Sequence, residues 1–364
     1  MTTDVAFEKA PDSGASEALW EAVERILAAS EIEGIHAHKL GPLAAWYRRA
    51  RGEPVPPSLL AEERGAVAAM LTSSPLLEHV RSACDGPLVL IKGPEIARLY
   101  PGQRRLFVDI DLLVRDVWSV QRELMAAGFV ETGWEWVMAH HPLDVFIKEA
   151  HHLRPLKWPE LGLKVEIHKH PSWPKRLVPP APEEILEGAM PSACGIDGIL
   201  APDPRHHALI LAAHAWKENP LGVMRDLIDV AAVSADTSER ELEQAAASWG
   251  LERVWRATRG TTQALLEAKP LRRPVRLWAG HLESVRERTV LENHLRGWLQ
   301  GFWMLPPRLA LFESREAIRR EFLPHAGEPW RQKLARSVHA VRHPRQAHSV
   351  HVAESRRRSE RADS

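Results

Sequence analysis

The chain has 364 residues, of which 45% are hydrophobic and 26% charged, as expected for a soluble globular protein of two domains at roughly 150 residues each. Its 48 basic and 48 acidic side chains cancel, so net charge indicates no particular partner. The two isolated cysteines, Cys84 and Cys194, argue against a disulfide framework or a cysteine-based zinc site. No run approaches the roughly 18 to 20 apolar residues of a membrane span, so we expect a cytoplasmic protein.

The first part of the chain is predicted to be helical after a polar start. Residues 1–16 mix acidic residues and proline without an apolar run, and we expect a flexible N-terminus there. Residues 17–86 repeat apolar side chains at helical spacing, for example Leu19, Val23 and Leu27. This stretch is therefore predicted to be an N-terminal helical segment.

The pattern changes to that of a compact α/β unit over residues 87–178. The short apolar run 88–91 predicts a buried strand that ends in the turn Lys92-Gly93-Pro94, and a short helix is expected at 95–100. The β-branched and apolar run 106–114 predicts a second strand with a helix behind it. The remaining elements predicted for this unit are a helix at 118–127 and strands at 129–131, 144–148 and 164–168.

The last part of the chain is predicted to be helical again. Residues 179–323 are interpreted as an all-helical domain, with helices near 205–217, 221–235, 239–249, 253–268 and 276–289. Arg225, Asp226 and Asp229 stand at helical spacing and are expected to form local or interdomain ion pairs. Residues 324–364 form a basic tail rich in His and Arg, which we expect to be partly disordered.

Three carboxylates fall on predicted strand faces. Because alternate side chains of a strand share a face, Asp109 and Asp111 project together while Ile110 packs the other way. The later strand repeats the pattern, with Glu166, His168 and His170 on one face. If the two strands are neighbours, three carboxylates could hold Mg²⁺, which prefers oxygen ligands.

The turn at Lys92-Gly93 is the candidate phosphate site. It joins an apolar strand to a short helix, so its backbone N–H groups and the helix N-terminus could face an anion, with Lys92 as a charge contact. An isolated Lys-Gly is more often an ordinary turn with a solvated lysine. Its position ahead of the Asp109-Asp111 pair favours the phosphate interpretation.

Together these motifs resemble a known family. The segments Leu90-Ile91-Lys92-Gly93, Asp109-Ile110-Asp111-Leu112 and Val165-Glu166-Ile167-His168, in this order, resemble the uncharacterised nucleotidyltransferase-like family of the DNA polymerase β-like nucleotidyltransferase superfamily. The resemblance implies an α+β fold, in which a small mixed β-sheet is flanked by N-terminal helices and a C-terminal helical domain.

The resemblance also implies an activity. The expected reaction transfers a nucleoside monophosphate from a nucleoside triphosphate such as ATP to a hydroxyl of a small-molecule or protein acceptor, with Mg²⁺ or Mn²⁺ as cofactor. Asp109, Asp111 and Glu166 would then be the catalytic and metal-binding residues. Lys92, Gly93 and Arg105 would bind the nucleotide phosphates, although Arg105 could instead cap its strand.

Two other functions stay open. Many active superfamily members have Gly-Ser or Gly-Gly in the turn, whereas Gly93-Pro94 lacks a hydroxyl and one backbone donor, as an inactive nucleotide-binding or partner-binding module could. A histidine-centred metal hydrolase is the minor alternative, since imidazole ligates transition metals. The histidines that carry this alternative are His151, His152, His168 and His170.

Further partners are less specifically indicated. The basic tail makes a nucleic acid a possible acceptor, although no nucleic-acid-reading module accompanies it, so it is not the favoured one. Four tryptophans near the site in sequence could stack on a base, but core packing is the commoner role. They are Trp134, Trp136, Trp158 and Trp173.

Overall fold

The computed structural model of the chain describes residues 14–132, 151–324 and 329–342. Several predicted features lie outside the described residues, so their predictions stay predictions. They are most of the N-terminus 1–16, the strand at 144–148, Trp134 and Trp136, and most of the tail 324–364.

Four helices form the predicted N-terminal helical segment. They are α1 (Gly14–Ala28), α2 (Ile32–Ala37), α3 (Gly41–Ala50) and α4 (Pro57–Ala83). A proline occupies the first turn of both α3 and α4, where its missing N–H costs no intrahelical hydrogen bond. These prolines therefore mark the points at which α3 and α4 begin.

The centre of the molecule is a seven-stranded mixed sheet, which confirms the predicted α+β fold. Its strands are β1 (Leu88–Leu90), β2 (Asp109–Leu113), β3 (Val130–Glu131), β4 (Leu156–Lys157), β5 (Lys164–His168), β6 (Met190–Pro191) and β7 (Ile199–Ala201). They lie in the order β3-β4-β5-β2-β1-β7-β6. β2 runs parallel to β5 and antiparallel to β1, and β1 runs parallel to β7. The two predicted carboxylate strands are thus direct neighbours.

Short helices connect the strands. α5 (Pro94–Ala97) follows β1, α6 (Val117–Ala126) follows β2, and α7 (Pro182–Glu187) precedes β6. Asp116 begins α6 by accepting hydrogen bonds from the backbone N–H groups of Trp118 and Ser119, a common N-cap arrangement.

The C-terminal part is a layer of longer helices. They are α8 (Pro204–Glu218), α9 (Met224–Ser234), α10 (Glu239–Ser248), α11 (Glu252–Leu266), α12 (Arg273–Ala279), α13 (Val290–Leu299), α14 (Pro307–Phe322) and α15 (Trp330–Arg342). Residues 280–282 and 300–303 form 3-10 turns between them.

The sheet separates two hydrophobic cores. Ile110 and Leu112 of β2 pack with the core that includes residues of α4 and α6, whereas Leu113 packs with the core that includes α1, α3 and the C-terminal helices. Because side chains alternate along a strand, Asp109 and Asp111 share the face of Leu113. The carboxylates therefore face the C-terminal helices.

Two parts of the secondary-structure prediction were wrong. Residues 190–191 and 199–201, expected to be helical, form β6 and β7 and join the sheet beside β1. The helix predicted over 276–289 ends at Ala279, and the next helix begins at Val290. Buried contacts of the intervening residues explain the break, since His281 reaches the Gly222 carbonyl and Leu282 is fully buried. The predicted domain boundaries themselves stay predictions.

Cys84 and Cys194, predicted to be unpaired thiols, are both free. Within residues 14–132, 151–324 and 329–342, no helix combines the length and the apolar character needed to cross a bilayer.

Candidate functional site

The pairing of β2 with β5 sets the geometry of the site. The parallel register places Asp111 beside Glu166 and Leu113 beside His168. Glu166 and His168 alternate with the buried residues Val165 and Ile167, so they share the face of Asp111. The register therefore brings the second predicted aspartate and the predicted glutamate together.

Asp111, Glu166 and His168 form a compact group of possible metal ligands. One ligand atom from each of these residues lies within 4.8 Å of the other two. Nε2 of His168 is 2.8 Å from Oδ1 of Asp111 and 3.8 Å from Oε2 of Glu166. Carboxylate oxygens suit Mg²⁺ and Mn²⁺, whereas an imidazole nitrogen adds affinity for transition metals.

Asp109 lies at the start of β2, two residues before Asp111 and half-buried. Burial and the neighbouring charge of Asp111 raise the pKa of Asp109, while Lys92 opposes the shift. Asp109 is not a member of the 4.8 Å group found among the described residues. Its carboxylate is close enough to interact electrostatically with that group and extends it along β2.

The electrostatics of the group favour a cation. Burial, followed by the charge of Asp111, raises the pKa of Glu166 to about 7. Burial also opposes ionisation of Asp111, but the hydrogen bond and charge of His168 prevail and hold the pKa of Asp111 well below its usual range. Three carboxylates therefore lie close together in a small, partly buried space, and a divalent cation would offset the repulsion between their charges. The residues present fit such a cation.

The predicted phosphate turn lies against the start of β2. Gly93 has φ +70°, a conformation that side chains other than glycine adopt with strain. A Cβ at this position would lie 3.0 Å from the backbone oxygen of Asp109. A glycine is therefore required twice over, by the turn and by the close approach to β2.

Lys92 precedes this turn, and its side chain interacts electrostatically with Asp111 and Asp109. Burial lowers the pKa of Lys92, and the charges of Asp111, Asp226 and Asp109 oppose that shift. Lys92 therefore lies within electrostatic reach of the carboxylates, and its contact with phosphate stays a prediction.

Arg105 has a different partner from the predicted phosphate. Its Nε and Nη2 each lie 2.7 Å from a carboxylate oxygen of Asp229 in α9, and the hydroxyl of Tyr100 donates to the same carboxylate. All three side chains are buried. The ion pair links the chain before β2 to the helical layer, as the interdomain alternative for Asp229 predicted. Arg225, by contrast, pairs locally with Asp226 at 3.4 Å.

Histidines surround the carboxylates on the side of β5. Nε2 of His152 is 3.7 Å from Oε2 of Glu166, and the ring of His151 lies 5.2 Å from that of His168. Lys217 of α8 reaches Nδ1 of His151 at 3.1 Å. The histidines of the minor alternative thus border the same group as the carboxylates, so one site unites residues from two competing predictions.

Sequence reasoning did not identify the contributions of α8. His214 interacts electrostatically with Lys92, Asp111 and His168, and burial followed by the charge of Lys92 lowers its pKa well below the usual range. The regular spacing of His214 and Lys217 along one helix, three residues apart, is the signal that could have suggested a shared face over the sheet.

The two described tryptophans of the base-stacking prediction lie in packed surroundings. Trp158 stacks on His79 and meets Phe129 edge-on, and Trp173 meets Trp249 at a ring separation of 5.8 Å. Core packing therefore accounts for both.

The chain was compared with known protein families, curated proteins and solved structures. A family model described as an uncharacterised nucleotidyltransferase matches residues 18–267, which is more than half of the chain. No curated protein and no solved structure shows significant similarity. The matched range includes the sheet, the carboxylates and α8 to α11, whereas α12 to α15 follow it.

Proposed function

The chain belongs to the family of uncharacterised nucleotidyltransferases, which implies a nucleoside triphosphate as substrate, and we propose that it is a metal-dependent enzyme. In this proposal a nucleoside monophosphate, AMP when ATP is the donor, passes to a hydroxyl of a small-molecule or protein acceptor. Asp109, Asp111 and Glu166 bind Mg²⁺ or Mn²⁺, and Lys92 with the Gly93 turn binds phosphate. The proposed location is the cytoplasm.

The in-register pairing of Asp111 with Glu166 carries this proposal. Two residues separated widely in sequence meet on one sheet face, beside a glycine turn that touches the same strand. His168 already pairs with one oxygen of Asp111, but burial and the charge of Asp111 still raise the pKa of Glu166 to about 7. A divalent cation bound by the carboxylates would offset this repulsion and would also serve the transfer reaction.

The proposed step is a nucleophilic substitution at the α-phosphorus of the triphosphate. The acceptor hydroxyl oxygen forms a bond to the α-phosphorus, the bond to the bridging oxygen breaks, and pyrophosphate leaves with that electron pair. The hydroxyl proton passes to a carboxylate of the site and then to solvent. A bound divalent cation would offset the negative charge of the triphosphate and of the departing pyrophosphate. Lys92, which interacts electrostatically with Asp111 and Asp109, adds a positive charge beside the phosphates.

The test is a transfer assay with the full-length chain. Purified protein is incubated with each α-labelled nucleoside triphosphate, with Mg²⁺ or Mn²⁺ and with a cell extract as the acceptor source. Label on an acceptor, or release of pyrophosphate, by the parent protein and not by the Asp109→Asn/Asp111→Asn double variant supports the proposal. Absence of transfer and of pyrophosphate release with every nucleotide contradicts it.

One observation favours the second candidate, a nucleotide-binding module without turnover. Pro94 is the first residue of α5, which has only four residues, so the turn offers one N–H donor fewer to a triphosphate. This candidate predicts nucleotide binding with no pyrophosphate release. Equilibrium binding of a nucleotide to a protein that is inactive in the transfer assay would select it.

A further inference from the structure

Two arginines meet at the C-terminal end of α8 without an acidic partner. Nη1 of Arg288 lies 2.7 Å from Oδ1 of Asn219, and Nη1 of Arg296 lies 3.1 Å from the same oxygen. One neutral oxygen therefore accepts hydrogen bonds from two cationic groups. Neither arginine forms an ion pair with a carboxylate in the described part of the chain. Glu292, whose charge acts on Arg288, is itself held bidentately by Arg286.

Arg288 has a structural explanation. Its Nη2 donates to the backbone oxygens of Pro220 and Leu221, at 2.9 and 2.7 Å, so it holds the loop that follows α8. Its charge also lies near the negative end of that helix, where a cation is favourable. One positive charge at this place is thus accounted for by the fold.

Arg296 has no equivalent explanation. Its one hydrogen bond goes to the oxygen that Arg288 already uses, and its Nε is buried without a partner, as is the Nε of Arg288. Burial and the neighbouring Arg296 lower the pKa of Arg288 to about 9, so the two charges oppose each other. Leaving a second guanidinium half-buried and unpaired is costly unless an anion compensates it.

We propose that Arg288 and Arg296, with Asn219 between them, form a binding subsite for a phosphate group. The guanidinium of Arg296 offers N–H donors that suit the oxygens of phosphate. Arg288, whose Nη2 already donates to two backbone oxygens, adds its charge, so that the pair matches a dianion. A single carboxylate would neutralise only one of them. Phosphate is therefore the class of anion that this pair fits.

The position of the subsite connects it with the carboxylate group. Asn219 follows Lys217 by two residues, and Lys217 contacts His151 at the edge of the β5 histidines. Lys217 and the subsite thus lie at the same end of α8. Arg288 and Arg296 lie beyond residue 267, where the family match ends, whereas Asn219 lies within the matched range, so the match covers only part of the subsite.

The bound phosphate has two possible sources, the nucleotide and a phosphorylated acceptor. Assigning it to either substrate rests on the proposed function, whereas phosphate binding itself does not. The experiment therefore uses inorganic phosphate first. Thermal unfolding of the full-length chain is measured with and without phosphate, in the absence of divalent metal.

Three variants make this measurement specific. Arg296→Gln removes the unexplained charge, Asn219→Asp places a permanent carboxylate between the arginines, and Arg315→Gln removes one charge from an exposed position of α14 as a control. Phosphate bound at the Gly93 turn would stabilise all four proteins alike, so we expect phosphate to raise the Tm of the parent and of Arg315→Gln by more than that of the other two variants. Without phosphate, the first two variants should unfold at the same or a higher temperature than the parent, since each removes charge repulsion.

Calorimetric titration then gives the affinities. Arg296→Gln should bind phosphate at least about tenfold more weakly than the parent, as for loss of a hydrogen bond to a charged group. An equal response of Arg296→Gln and parent, or no response of the parent, would overturn the subsite. Asp111→Asn should keep the phosphate response even if transfer is lost, so failure of the subsite and of the proposed enzyme are separately visible.

The source is identified by repeating the titration with ATP. Weaker ATP binding by Arg296→Gln, relative to the parent and to Arg315→Gln, assigns the subsite to the nucleotide. Unchanged ATP binding, together with the reduced phosphate response, assigns it to a phosphorylated acceptor. Both results support the subsite.

Discussion

Nε2 of His168 lies 2.8 Å from Oδ1 of Asp111, so the imidazole occupies one oxygen of the carboxylate and fixes its orientation. We expect His168→Ala to lower transfer by about 10- to 100-fold, the usual cost of removing a group that orients a metal ligand. His168→Gln, which can still donate to Asp111, should retain more activity. His170→Gln is the control, since among the described residues the hydrogen bond of His170 Nδ1 goes to the backbone oxygen of Pro171 and not to a carboxylate. Equal losses in His168→Ala and His170→Gln would contradict an orienting role.

Asp111→Asn and Glu166→Gln should abolish most of the transfer. Each keeps the size of the side chain but removes a carboxylate charge from the proposed metal site, which is expected to slow transfer by at least about 100-fold. Initial rates at saturating Mg²⁺ and Mn²⁺ give the measurement. Glu313→Gln, in a surface pair with Arg176, is the matched control and should retain the parent rate. Parent-like rates in Glu166→Gln would remove this residue from the site.

Gly93→Ala should destabilise the protein. The positive φ and the 3.0 Å approach of a Cβ to the Asp109 backbone oxygen together should lower the free energy of unfolding by about 1–3 kcal/mol. Gly86→Ala is the control, because a Cβ there meets nothing within 4 Å and φ is not positive. Urea unfolding of both variants provides the comparison, and equal midpoints would show that the turn relaxes without cost.

Asp229→Asn should destabilise the fold more strongly. It leaves the buried guanidinium of Arg105 without its counter-charge, and breaking a buried ion pair typically costs about 3–5 kcal/mol. Asp203→Asn, which affects a more exposed pair with Arg205, should cost far less. If Asp229→Asn unfolds at the parent's urea midpoint while Arg105→Gln raises the KM for the nucleotide, the original prediction of a phosphate contact gains support instead.

Stability should decrease toward acid pH because of buried neutral histidines. His38 donates to the Arg286 carbonyl through one ring nitrogen and accepts from the Met224 N–H through the other, and burial lowers its pKa from 6.5 to about 4. Above pH 6.5 the folded and unfolded states are both neutral at this position. As the pH falls from 6.5 to 4, the unfolded state binds the proton first, so the free energy of unfolding decreases.

For His38 alone this loss amounts to about 1.4 kcal/mol for each pH unit within that window. Urea unfolding at several pH values should show it, and His38→Gln should reduce the slope relative to the parent. His36→Gln is the control, because His36 lies in α2 only two residues before His38 and is half-exposed. A slope unchanged by His38→Gln would assign the acid sensitivity to other groups.

The sequence predicted the local geometry of the site well, because strand alternation is a local property. Asp109 and Asp111 share a face, and Glu166 shares one with His168, as their spacing indicated. That Glu166 lies beside Asp111 depended on strand pairing across more than fifty residues, which no local pattern reveals. The sequence analysis could only assume this pairing, and the register now supports it.

Other features depended on contacts distant in sequence and were missed. Arg105 pairs with Asp229, which is 124 residues away in the sequence, so the residues next to Arg105 did not indicate this partner. β7 is only three residues long and lies in a stretch of helices, and its pairing with β1 gives it strand geometry. Buried contacts of His281 and Leu282 likewise ended a helix that apolar spacing alone predicted to continue.

The position of β1 between β2 and β7 also affects the order in which the chain can fold during synthesis. β2 follows β1 closely, but β7 ends only at Ala201, more than a hundred residues later. One edge of β1 therefore has no partner until that much more of the chain has left the ribosome, and an unpaired apolar edge invites pairing with other chains. Completion of the sheet is thus expected to be a late event in biosynthesis. A chaperone would protect the nascent protein most effectively before that event, while the edge of β1 is still unpaired.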